Sequence, residues 1–431
     1  MGHHESSTMS DFEWPPELDT TIDGLAQGGD GVGRYAGRPV FVAAALPGEQ
    51  VRVRLTERRN GWARGVLLEP PSNPAAERVT PACPVYQRCG GCDWQYQMIE
   101  SQRQAKQTIL AEQLRFVAQT DHAEVAATAA GEPWHYRSVA RVHVDGQRVG
   151  FYAAGGRQIV EFDQCLIIDP RLNATIERLK PLLPLIGLRE ISLRLSTTDG
   201  TIHGHLIGQG QSAWRSWARR WMSADATIAG VSSATREGWM ALAGAEYLYE
   251  QLGDVRLRIA PTSFFQANVE RARAVLQQIE CFLPLNNTTR LLDGFCGVGT
   301  FLLPLAHNIG HGWGIEEHPA AIRDAQASAK ANQLSNVTLK TGKVEAILPQ
   351  LKQQFDLAIV DPPRRGVEPA ALNALIAAQP TMIAYVSCHP GTLARDIKLL
   401  QAGGYTIQHA QPHDFFPQTS HVESLVLLSK A

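Results

Sequence analysis

Three cysteines lie close together in a spacing that is typical of metal ligands. Cys83, Cys89 and Cys92 stand in the segment CPVYQRCGGC, and the other four cysteines are spread along the chain at positions 165, 281, 296 and 388. Closely spaced thiolates bind zinc or an iron–sulfur cluster, and spacing alone does not distinguish the two. The best candidate for a fourth ligand is Cys165, in EFDQC. The segment therefore predicts a thiolate metal site, with unrelated buried thiols as the alternative.

A glycine turn after a short apolar run is typical of a nucleoside-cofactor site. In RLLDGFCGVGTF the predicted strand ends at Asp293, and Gly297 lies in the turn before a helix predicted to begin near Thr300. Glycines in such a turn let the backbone approach a ligand. In the following strand, GWGIEE, Glu316 stands where a carboxylate would bind ribose hydroxyls. The extra carboxylate of Asp293 favours S-adenosylmethionine over NAD, and a tight turn without a ligand is the alternative.

Two further strand ends carry candidate site residues. The apolar run 357–360 ends in Asp361 and two prolines, and IAYVSCHPG presents Cys388 after another strand. Ligands of open α/β sheets bind at the carboxyl ends of the strands. A buried structural cysteine is the usual alternative, but the position of Cys388 between Ser387 and His389 at a strand end predicts a nucleophile. Glu423 enters the last predicted strand, and alone it would be interpreted as a solvated strand end.

The pattern of elements predicts three domains. From residue 259 onward strands and helices alternate, which indicates a parallel sheet with crossover helices in a domain 259–431. Domain 73–258 follows a Pro-rich linker and is strand-rich with a few helices. Its amphipathic helix 98–117 has an alternative place, packed against the C-terminal domain.

The first domain, 1–72, is predicted to be a small β-barrel. Residues 18–69 form four or five short strands, with turns at 28–33, 37, 47–48 and 60–61. Small closed barrels of this kind often bind oligonucleotides. A cluster of arginines beside an aromatic ring suits phosphate contacts and base stacking, and a solvated barrel face is the alternative. The cluster contains Arg52, Arg54, Arg58, Arg59, Arg64 and Trp62, opposed by Glu57.

Composition excludes several classes of protein. With 44% hydrophobic and 19% charged residues, the chain of 431 residues is not mainly disordered, collagenous or coiled-coil. Forty basic against 42 acidic residues give a net charge of −2, so a nucleic-acid site must be a local patch. The apolar stretch 294–306 is too short to span a bilayer, and the polar start, MGHHESSTMS, lacks the apolar core of a secretory signal. We expect a soluble, cytoplasmic, monomeric protein.

Several motifs together resemble one known family, the S-adenosylmethionine-dependent RNA uridine-5-methyltransferases. The motifs are FFQAN, DGFCGVGTF, DPPRRG, SCHPGTLARD and FPQTSHVE, in that order. The N-terminal run is similar to the family's TRAM barrel, and the cysteine segment with Cys165 resembles the ligand set of the [4Fe–4S]-bearing 23S ribosomal RNA branch. The resemblance implies a Rossmann-like α/β methyltransferase domain at the C-terminus, an OB-like TRAM barrel at the N-terminus and a central α+β domain that carries the cluster and contacts RNA.

The resemblance also implies roles for individual residues. Cys388 would add to C6 of uracil, C5 would take the methyl group, and Glu423 would remove the C5 proton. Two positions depart from the family pattern: His389 stands where Asn is usual, and Gly294 where a larger residue is common. The implied cofactor-binding residues are Gln266, Asp293, Gly297, Glu316 and Asp361, the implied substrate-binding residues are Phe264, Gln266 and Asp361, and the implied cluster ligands are Cys83, Cys89, Cys92 and Cys165.

Four alternatives stay open at this point. The substrate can be tRNA instead of ribosomal RNA, since only the cysteine ligands favour the latter, by analogy. Zinc is the second candidate occupant of the cysteine site. A radical-type iron–sulfur enzyme is disfavoured by the fourth cysteine and the glycine turn. A non-catalytic RNA-binding protein is disfavoured because both Cys388 and Glu423 are present.

Overall fold

The structure is a computed structural model that describes residues 12–120, 124–210 and 213–430. The stretch MGHHESSTMS, which we predict not to be a secretory signal, lies outside the described residues. Within the described ranges, each helix is too short or too polar to cross a membrane.

The N-terminal strands close into a small barrel. Its strands follow the order β1-β2-β3-β5-β4 around the barrel. Along β4, Val51, Val53 and Leu55 point inward while the residues between them are exposed, as the two-residue period of a strand requires. The predicted small barrel is thus confirmed. The strands are β1 (Glu17–Leu25), β2 (Gly31–Tyr35), β3 (Arg38–Ala43), β4 (Gln50–Arg58) and β5 (Ala63–Leu67).

Acidic side chains neutralise more of the arginine cluster than the sequence suggests. Glu17 lies 3.4 Å from Arg52 and 3.6 Å from Arg54. Asp30 lies 3.1 Å from Arg64, in addition to the expected pair of Glu57 with Arg59. The expectation that Glu57 alone opposes these arginines is therefore wrong. The reason is that Glu17 lies on β1, which is hydrogen-bonded to β4.

The first turn of the barrel is shorter than predicted. Gly31 and Gly33 belong to β2. Neither position has room for a side chain, which would lie 2.5 Å from Thr20 Oγ1 at Gly33 and 2.8 Å from a backbone carbonyl oxygen at Gly31. The remaining turn, residues 26–30, is closed by the hydrogen bond from Ala26 N to Asp30 O, of 2.8 Å. We call residues 26–30 the barrel loop.

A seven-stranded sheet forms the middle of the molecule. Its order is β12-β11-β10-β9-β6-β7-β8, and α2 (Pro170–Leu179) and α3 (Trp214–Ala224) contribute to the core on one face. Trp221 of α3 packs directly on Gly204, where any side chain would lie 2.4 Å from the indole ring. The strands are β6 (Val139–Asp145), β7 (Arg148–Tyr152), β8 (Ile159–Val160), β9 (Leu188–Leu195), β10 (Ile202–Gly208), β11 (Ile228–Thr235) and β12 (Gly238–Gly244).

A hairpin of β13 (Leu248–Leu252) and β14 (Val255–Ile259) leads into the C-terminal sheet. This sheet has the order β17-β16-β15-β18-β19-β21-β20. Strands β15 to β19 are parallel, and β21 is antiparallel to both neighbours. The predicted α/β architecture is confirmed. The strands are β15 (Arg290–Asp293), β16 (His311–Glu316), β17 (Val337–Thr341), β18 (Leu357–Val360), β19 (Met382–Ser387), β20 (Tyr405–His413) and β21 (Glu423–Lys430).

Helices cover the C-terminal sheet, and two of them are only one turn long. The helices are α4 (Val269–Phe282), α5 (Leu302–Leu305), α6 (Pro319–Ala331), α7 (Val344–Ile347), α8 (Pro369–Ala378) and α9 (Pro390–Ala402). The helix predicted to begin near Thr300 is α5, which begins at Leu302 and passes into a 3₁₀ turn at Ala306.

Helix α1 (Ile99–Phe116) packs on the C-terminal sheet although it precedes the central sheet in sequence. Leu110 and Leu114 lie in the same core cluster as residues of β18 and α9. Lys106 Nζ lies 2.7 Å from Asp414 Oδ1, and Arg103 Nε lies 3.2 Å from Asp414 Oδ2. The boundaries between the three domains stay a prediction.

The segment between β20 and β21, residues 414–422, is the final loop, and side chains from α1 and the cysteine segment hold it. Gln102 Nε2 donates to Gln418 Oε1 at 3.1 Å, and Gln418 N donates to Gln102 Oε1 at 2.8 Å. Ser420 donates to both oxygens of Asp93, from N at 2.8 Å and from Oγ at 2.6 Å. The final loop is therefore fixed at both its start and its end.

Replacing Lys106 with methionine tests the ion pair with Asp414. Both side chains are fully buried, so Lys106→Met should lower the free energy of unfolding by about 3–5 kcal/mol, the usual result of removing one partner of a buried pair. The measurement is the midpoint of urea denaturation. Lys180→Met is the control, because Lys180 pairs with the more exposed Glu177, and its loss should cost at most about 1 kcal/mol. Equal shifts for both variants would contradict the prediction.

Candidate active site

A cavity of about 670 Å³ opens at the carboxyl ends of the C-terminal strands. Most of the residues predicted from the sequence meet there, because successive parallel strands end at one edge of the sheet. Asp293 is the exception, since its side chain is buried at the end of β15 and is not part of the cavity wall. The predicted residues that line the cavity are Phe264, Gln266, Gly297, Glu316, Asp361, Cys388 and Glu423.

The glycine turn after β15 forms part of this wall. Gly297 and Gly299 have positive φ angles of 54° and 88°, a conformation that other residues rarely adopt. Gly297 N donates to Glu316 Oε2 at 3.2 Å, and His318 N donates to Glu316 Oε1 at 2.8 Å. The turn thus fixes the carboxylate of Glu316 at the end of β16. Because α5 has only one turn, the positive electrostatic potential at the glycine turn comes from these backbone N–H groups and not from the dipole of a long helix.

Asp293 has a buried oxygen without a hydrogen-bond partner among the described residues. Its Oδ1 accepts a bond of 3.4 Å from Phe295 N, whereas Oδ2 has no partner there. Burial, with contributions from the neighbouring Asp361 and Glu316, raises the pKa of Asp293 to about 8. A buried polar atom without a partner is costly and uncommon. The carboxyl oxygens around the turn therefore fit a ligand that carries a positive charge or a hydrogen-bond donor.

The pairing of β19 with β21 places Cys388 beside Glu423. The last pair of the antiparallel ladder is Ser387 with Ser424. Continuing the same register by one step brings Cys388, which follows Ser387, opposite Glu423, which precedes Ser424. Paired residues of an antiparallel ladder have side chains on the same face. Two residues that are 35 positions apart in sequence are thus brought to one spot of the cavity wall.

Burial dominates the charge state of this pair. It raises the pKa of the Cys388 thiol to about 12, with further contributions from Glu423 and Asp361, while Arg364 lowers it. The pKa of Glu423 is held well above its usual range by burial and by Asp361, again against the effect of Arg364. Burial thus disfavours the charged forms of both groups, and Arg364 is the cation that favours them.

Gln266 and Asp361 are neighbours in the cavity wall and are joined by a hydrogen bond. Gln266 Nε2 donates to Asp361 Oδ2 at 3.3 Å, and burial raises the pKa of Asp361 to about 7. Gln266 is buried, whereas the ring of Phe264 is 72% exposed at the cavity. Together they offer an amide, a carboxyl group and an aromatic face to a planar polar ligand.

The sequence predicts no role for Arg364, but in the structure this residue lines two cavities. Arg364 lines both this cavity and a second one, which contains the four predicted metal ligands and which we call the cysteine cavity. Its Nη2 lies 3.1 Å from each ring nitrogen of His421. Its carbonyl accepts a bond from Thr392 Oγ1 at 3.1 Å. The available signal was a cation directly after the Asp-Pro-Pro run at a strand end.

The four predicted metal ligands share a second cavity, of about 410 Å³. Burial, with contributions from the neighbouring cysteines, raises the pKa of the thiol of Cys92 to about 12. Burial also raises the pKa of Cys89 and of Cys165. In the described part of the chain, however, no three His, Cys, Asp or Glu side chains are arranged so that they could hold a metal ion. The cysteines Cys83, Cys89, Cys92 and Cys165 thus lie near one another without metal-binding geometry.

Comparisons with known proteins give a consistent family. The family described as tRNA (uracil-5-)-methyltransferase matches residues 240–431, and the TRAM domain matches residues 17–68. An uncharacterized RNA methyltransferase of Thermosynechococcus vestitus is 35% identical over 98% of this chain and 100% of its own length. Another, from Halalkalibacterium halodurans, is 31% identical over 95% of this chain and 96% of its own.

A solved structure has the same fold over nearly the whole chain. It is the Pyrococcus abyssi tRNA (uracil-54, C5)-methyltransferase in complex with S-adenosyl-L-homocysteine, with a TM-score of 0.75 and 24% identity, covering 95% of this chain and 99% of that chain. The five-stranded barrel of residues 17–67 coincides with the TRAM match. The chain belongs to the tRNA (uracil-5-)-methyltransferase family of RNA methyltransferases and carries a TRAM domain at the N-terminal side.

Proposed function

We propose that this protein transfers a methyl group from S-adenosylmethionine to C5 of a uridine in RNA. The observation that carries the proposal is the strand register that sets the Cys388 thiol beside the Glu423 carboxyl in one cavity. The same cavity contains the glycine turn and Glu316. A nucleophile, a base and a cofactor-type turn thus meet in a single space.

Cys388 would activate the uracil. C5 of uracil is a poor nucleophile, and addition of a thiolate at C6 converts the ring into an enolate whose electron pair lies at C5. Burial opposes formation of the thiolate, so the step needs a cation close by. Arg364 is the group that lowers the pKa of Cys388. Its guanidinium would therefore favour the attacking form.

Glu423 would complete the reaction by removing a proton. After C5 has taken the methyl group, the adduct still holds the C5 proton and the bond from C6 to sulfur. A base that takes this proton lets the electron pair return, re-form the ring double bond and expel the Cys388 thiolate. A carboxylate with a raised pKa is a stronger base than an ordinary one, and the pKa of Glu423 is raised by burial.

The remaining polar groups would hold the base. Gln266 would donate to the uracil O4 and stabilise the negative charge of the enolate, while Asp361 would bind the edge of the ring. The exposed ring of Phe264 offers a stacking surface at the cavity. To reach the Cys388 thiol in this cavity, the target uridine would have to leave any stacked context.

S-adenosylmethionine would bind at the glycine turn and supply an electrophilic methyl group. Glu316, fixed by two backbone N–H groups, would accept the ribose hydroxyls. The Asp293 carboxyl lies behind the cavity wall, so it would favour the positively charged part of such a ligand through its electrostatic effect and not by lining the cavity. Support comes from the Pyrococcus abyssi protein of the same fold, which is in complex with S-adenosyl-L-homocysteine.

We also propose that the cysteine cavity holds a [4Fe–4S] cluster, with zinc as the second candidate. Support comes from the four thiols that line one cavity, Cys83, Cys89, Cys92 and Cys165; the described side chains do not stand in metal-binding geometry, so the thiols would have to be brought together by the group they bind. Methyl transfer to C5 needs no electron, so the group would act structurally and fix the segment 83–92 against the final loop. Three thiols with raised pKa values would have to deprotonate, which is the usual requirement for thiolate ligands.

For the RNA class, we propose large-subunit ribosomal RNA, which the cysteine ligands favour by resemblance. The matching family and the Pyrococcus abyssi protein are both named for tRNA, so tRNA is the direct competitor. Both RNAs would use the same chemistry and must be compared experimentally.

Release of tritium from RNA that contains C5-tritiated uridine tests the reaction. With S-adenosylmethionine present, wild-type protein should release tritium, and Cys388→Ala should reduce the rate about a thousandfold or more because the nucleophile is lost. Transcripts of 23S ribosomal RNA and of tRNA run in parallel. Cys281→Ala is the control, since Cys281 is exposed on α4, and its rate should equal that of wild type. Absence of release from both RNAs by the wild-type protein would refute the proposal.

Glu423→Gln should stop the reaction after methyl transfer. Without a base, the methylated adduct keeps its bond to Cys388, so a covalent protein–RNA complex should accumulate while tritium release falls about a hundredfold or more. Denaturing gel electrophoresis detects the complex. Glu270→Gln, at an exposed position on α4, should behave like wild type. If Glu423→Gln releases tritium at the wild-type rate, Glu423 is not the base.

Anaerobic purification tests the cysteine site. A [4Fe–4S] cluster would give broad visible absorbance with iron and acid-labile sulfide in equal amounts, and Cys92→Ser should lower both. Cys281→Ser should keep them. Colourless protein with one equivalent of zinc would identify the second candidate, and protein with neither metal would refute a metal site.

A further inference from the structure

We propose that Gln27 of the barrel loop is a positioning residue for the nucleophile and acts through His389. The inference rests on the proposed role of Cys388 and adds a contribution from the barrel to the chemical step. Gln27 Nε2 lies 2.9 Å from His389 Nε2 and 3.2 Å from His389 Nδ1. The two residues are 362 positions apart, and His389 directly follows Cys388.

His389 holds the backbone on both sides of the nucleophile. Its side chain caps α9, since Nδ1 accepts a bond of 3.2 Å from Thr392 N. Its backbone N donates to Ser387 Oγ at 3.2 Å, and Ser387 Oγ donates in turn to His389 O at 3.3 Å. Cys388 stands between these two residues, so the orientation of its thiol depends on where His389 is held.

The side chain of Gln27 suits the tautomer that the cap imposes. A neutral imidazole has one nitrogen with a proton and one without. When Nδ1 accepts from Thr392, the proton lies on Nε2, and the oxygen of the Gln27 amide can accept it once the amide is turned by half a rotation. A glutamine can match either tautomer because it carries an acceptor and a donor, whereas leucine can match neither.

The barrel loop is seated so that this contact is enforced. Gly391 leaves the space that Gln27 occupies, because a side chain there would lie 2.8 Å from Gln27 Oε1. On the other side, Gly29 O accepts a bond of 3.2 Å from Trp94 Nε1. A side chain at Gly29 would lie 2.6 Å from Ser420 Cβ. The loop therefore touches the segment after Cys388 and the final loop before Glu423.

The contact between Gln27 and position 389 depends on the histidine that this chain has there. The resembling family usually has Asn there, whose side chain also caps a helix but is shorter than histidine. Histidine keeps the cap through Nδ1 and extends a second nitrogen toward the barrel. His389→Asn should therefore keep the cap and lose the contact with Gln27.

The test is Gln27→Leu, measured in single turnovers on the RNA that serves as substrate. The rate of methyl transfer should fall about tenfold or more, since small displacements of a reacting group are costly, while the Kd values for RNA and for S-adenosylmethionine stay within about twofold. In the His389→Asn background, Gln27→Leu should cause no further loss. This lack of additivity would show that Gln27 acts through His389.

Gln50→Leu is the matched control, because Gln50 is an exposed glutamine of the same barrel, on β4. It should keep the wild-type rate. An unchanged rate for Gln27→Leu, or a loss that appears wholly as weaker RNA binding, would overturn the inference. A full tenfold loss in the His389→Asn background would also overturn it. Tritium release by wild-type protein in the same assay separates such a failure from a failure of the proposed function.

Discussion

The buried ion pair between Lys106 and Asp414 is the interaction on which the arrangement of the site depends. Both side chains are inaccessible to solvent, and Arg103 binds the second oxygen of Asp414. Charges taken out of water are tolerated only when paired, so α1 and the final loop cannot separate without a large cost. The final loop in turn brings Phe416 to the wall that both cavities share, and it ends where Glu423 begins β21. The ion pair does not line the active-site cavity, but Lys106 Nζ also donates to Phe416 O at 3.0 Å and so helps to place the wall of that cavity.

The cavity contains more acids than bases. Asp361, Glu316 and Glu423 line it, Asp293 lies just behind it, and Arg364 is the cation that opposes the raised pKa of Cys388. Burial raises the pKa values of Asp293, Asp361 and Glu423, and neighbouring carboxyl groups contribute at Asp293 and Glu423, so the charged forms of three of these acids are disfavoured. Such a site attracts a cationic ligand, and its carboxyl groups can take up or release protons during a reaction. Polar groups collected at this cost are a mark of function more than of stability.

The sequence predicts this fold well where local pattern decides the structure. Alternation in β4 and the apolar runs before Asp293, Asp361 and Cys388 correspond to real strands, because strand period and burial act within a few residues. It fails where distant segments meet. The pairing of Glu17 with the arginines of β4, the space-making role of Gly31 and Gly33, and the place of Arg364 between two cavities all depend on packing that no local pattern records. Glu423 is the clearest case, since the ladder with β19 makes a plain strand end part of the site.

The packing of α1 on the C-terminal sheet also bears on how the chain acquires its fold during synthesis. Lys106 and Asp414 are 308 residues apart, and at ribosomal rates of roughly 5–20 residues per second the interval is about 15–60 s. Until the strands of the C-terminal sheet have been made, the apolar side of α1, with Leu110 and Leu114, lacks the sheet that covers it in the folded protein. The central sheet, made of residues 139–244, is complete much earlier. The nascent protein thus passes through a long state with an exposed, positively charged helix, and Cys388 meets Glu423 only after β21 has inserted between β19 and β20.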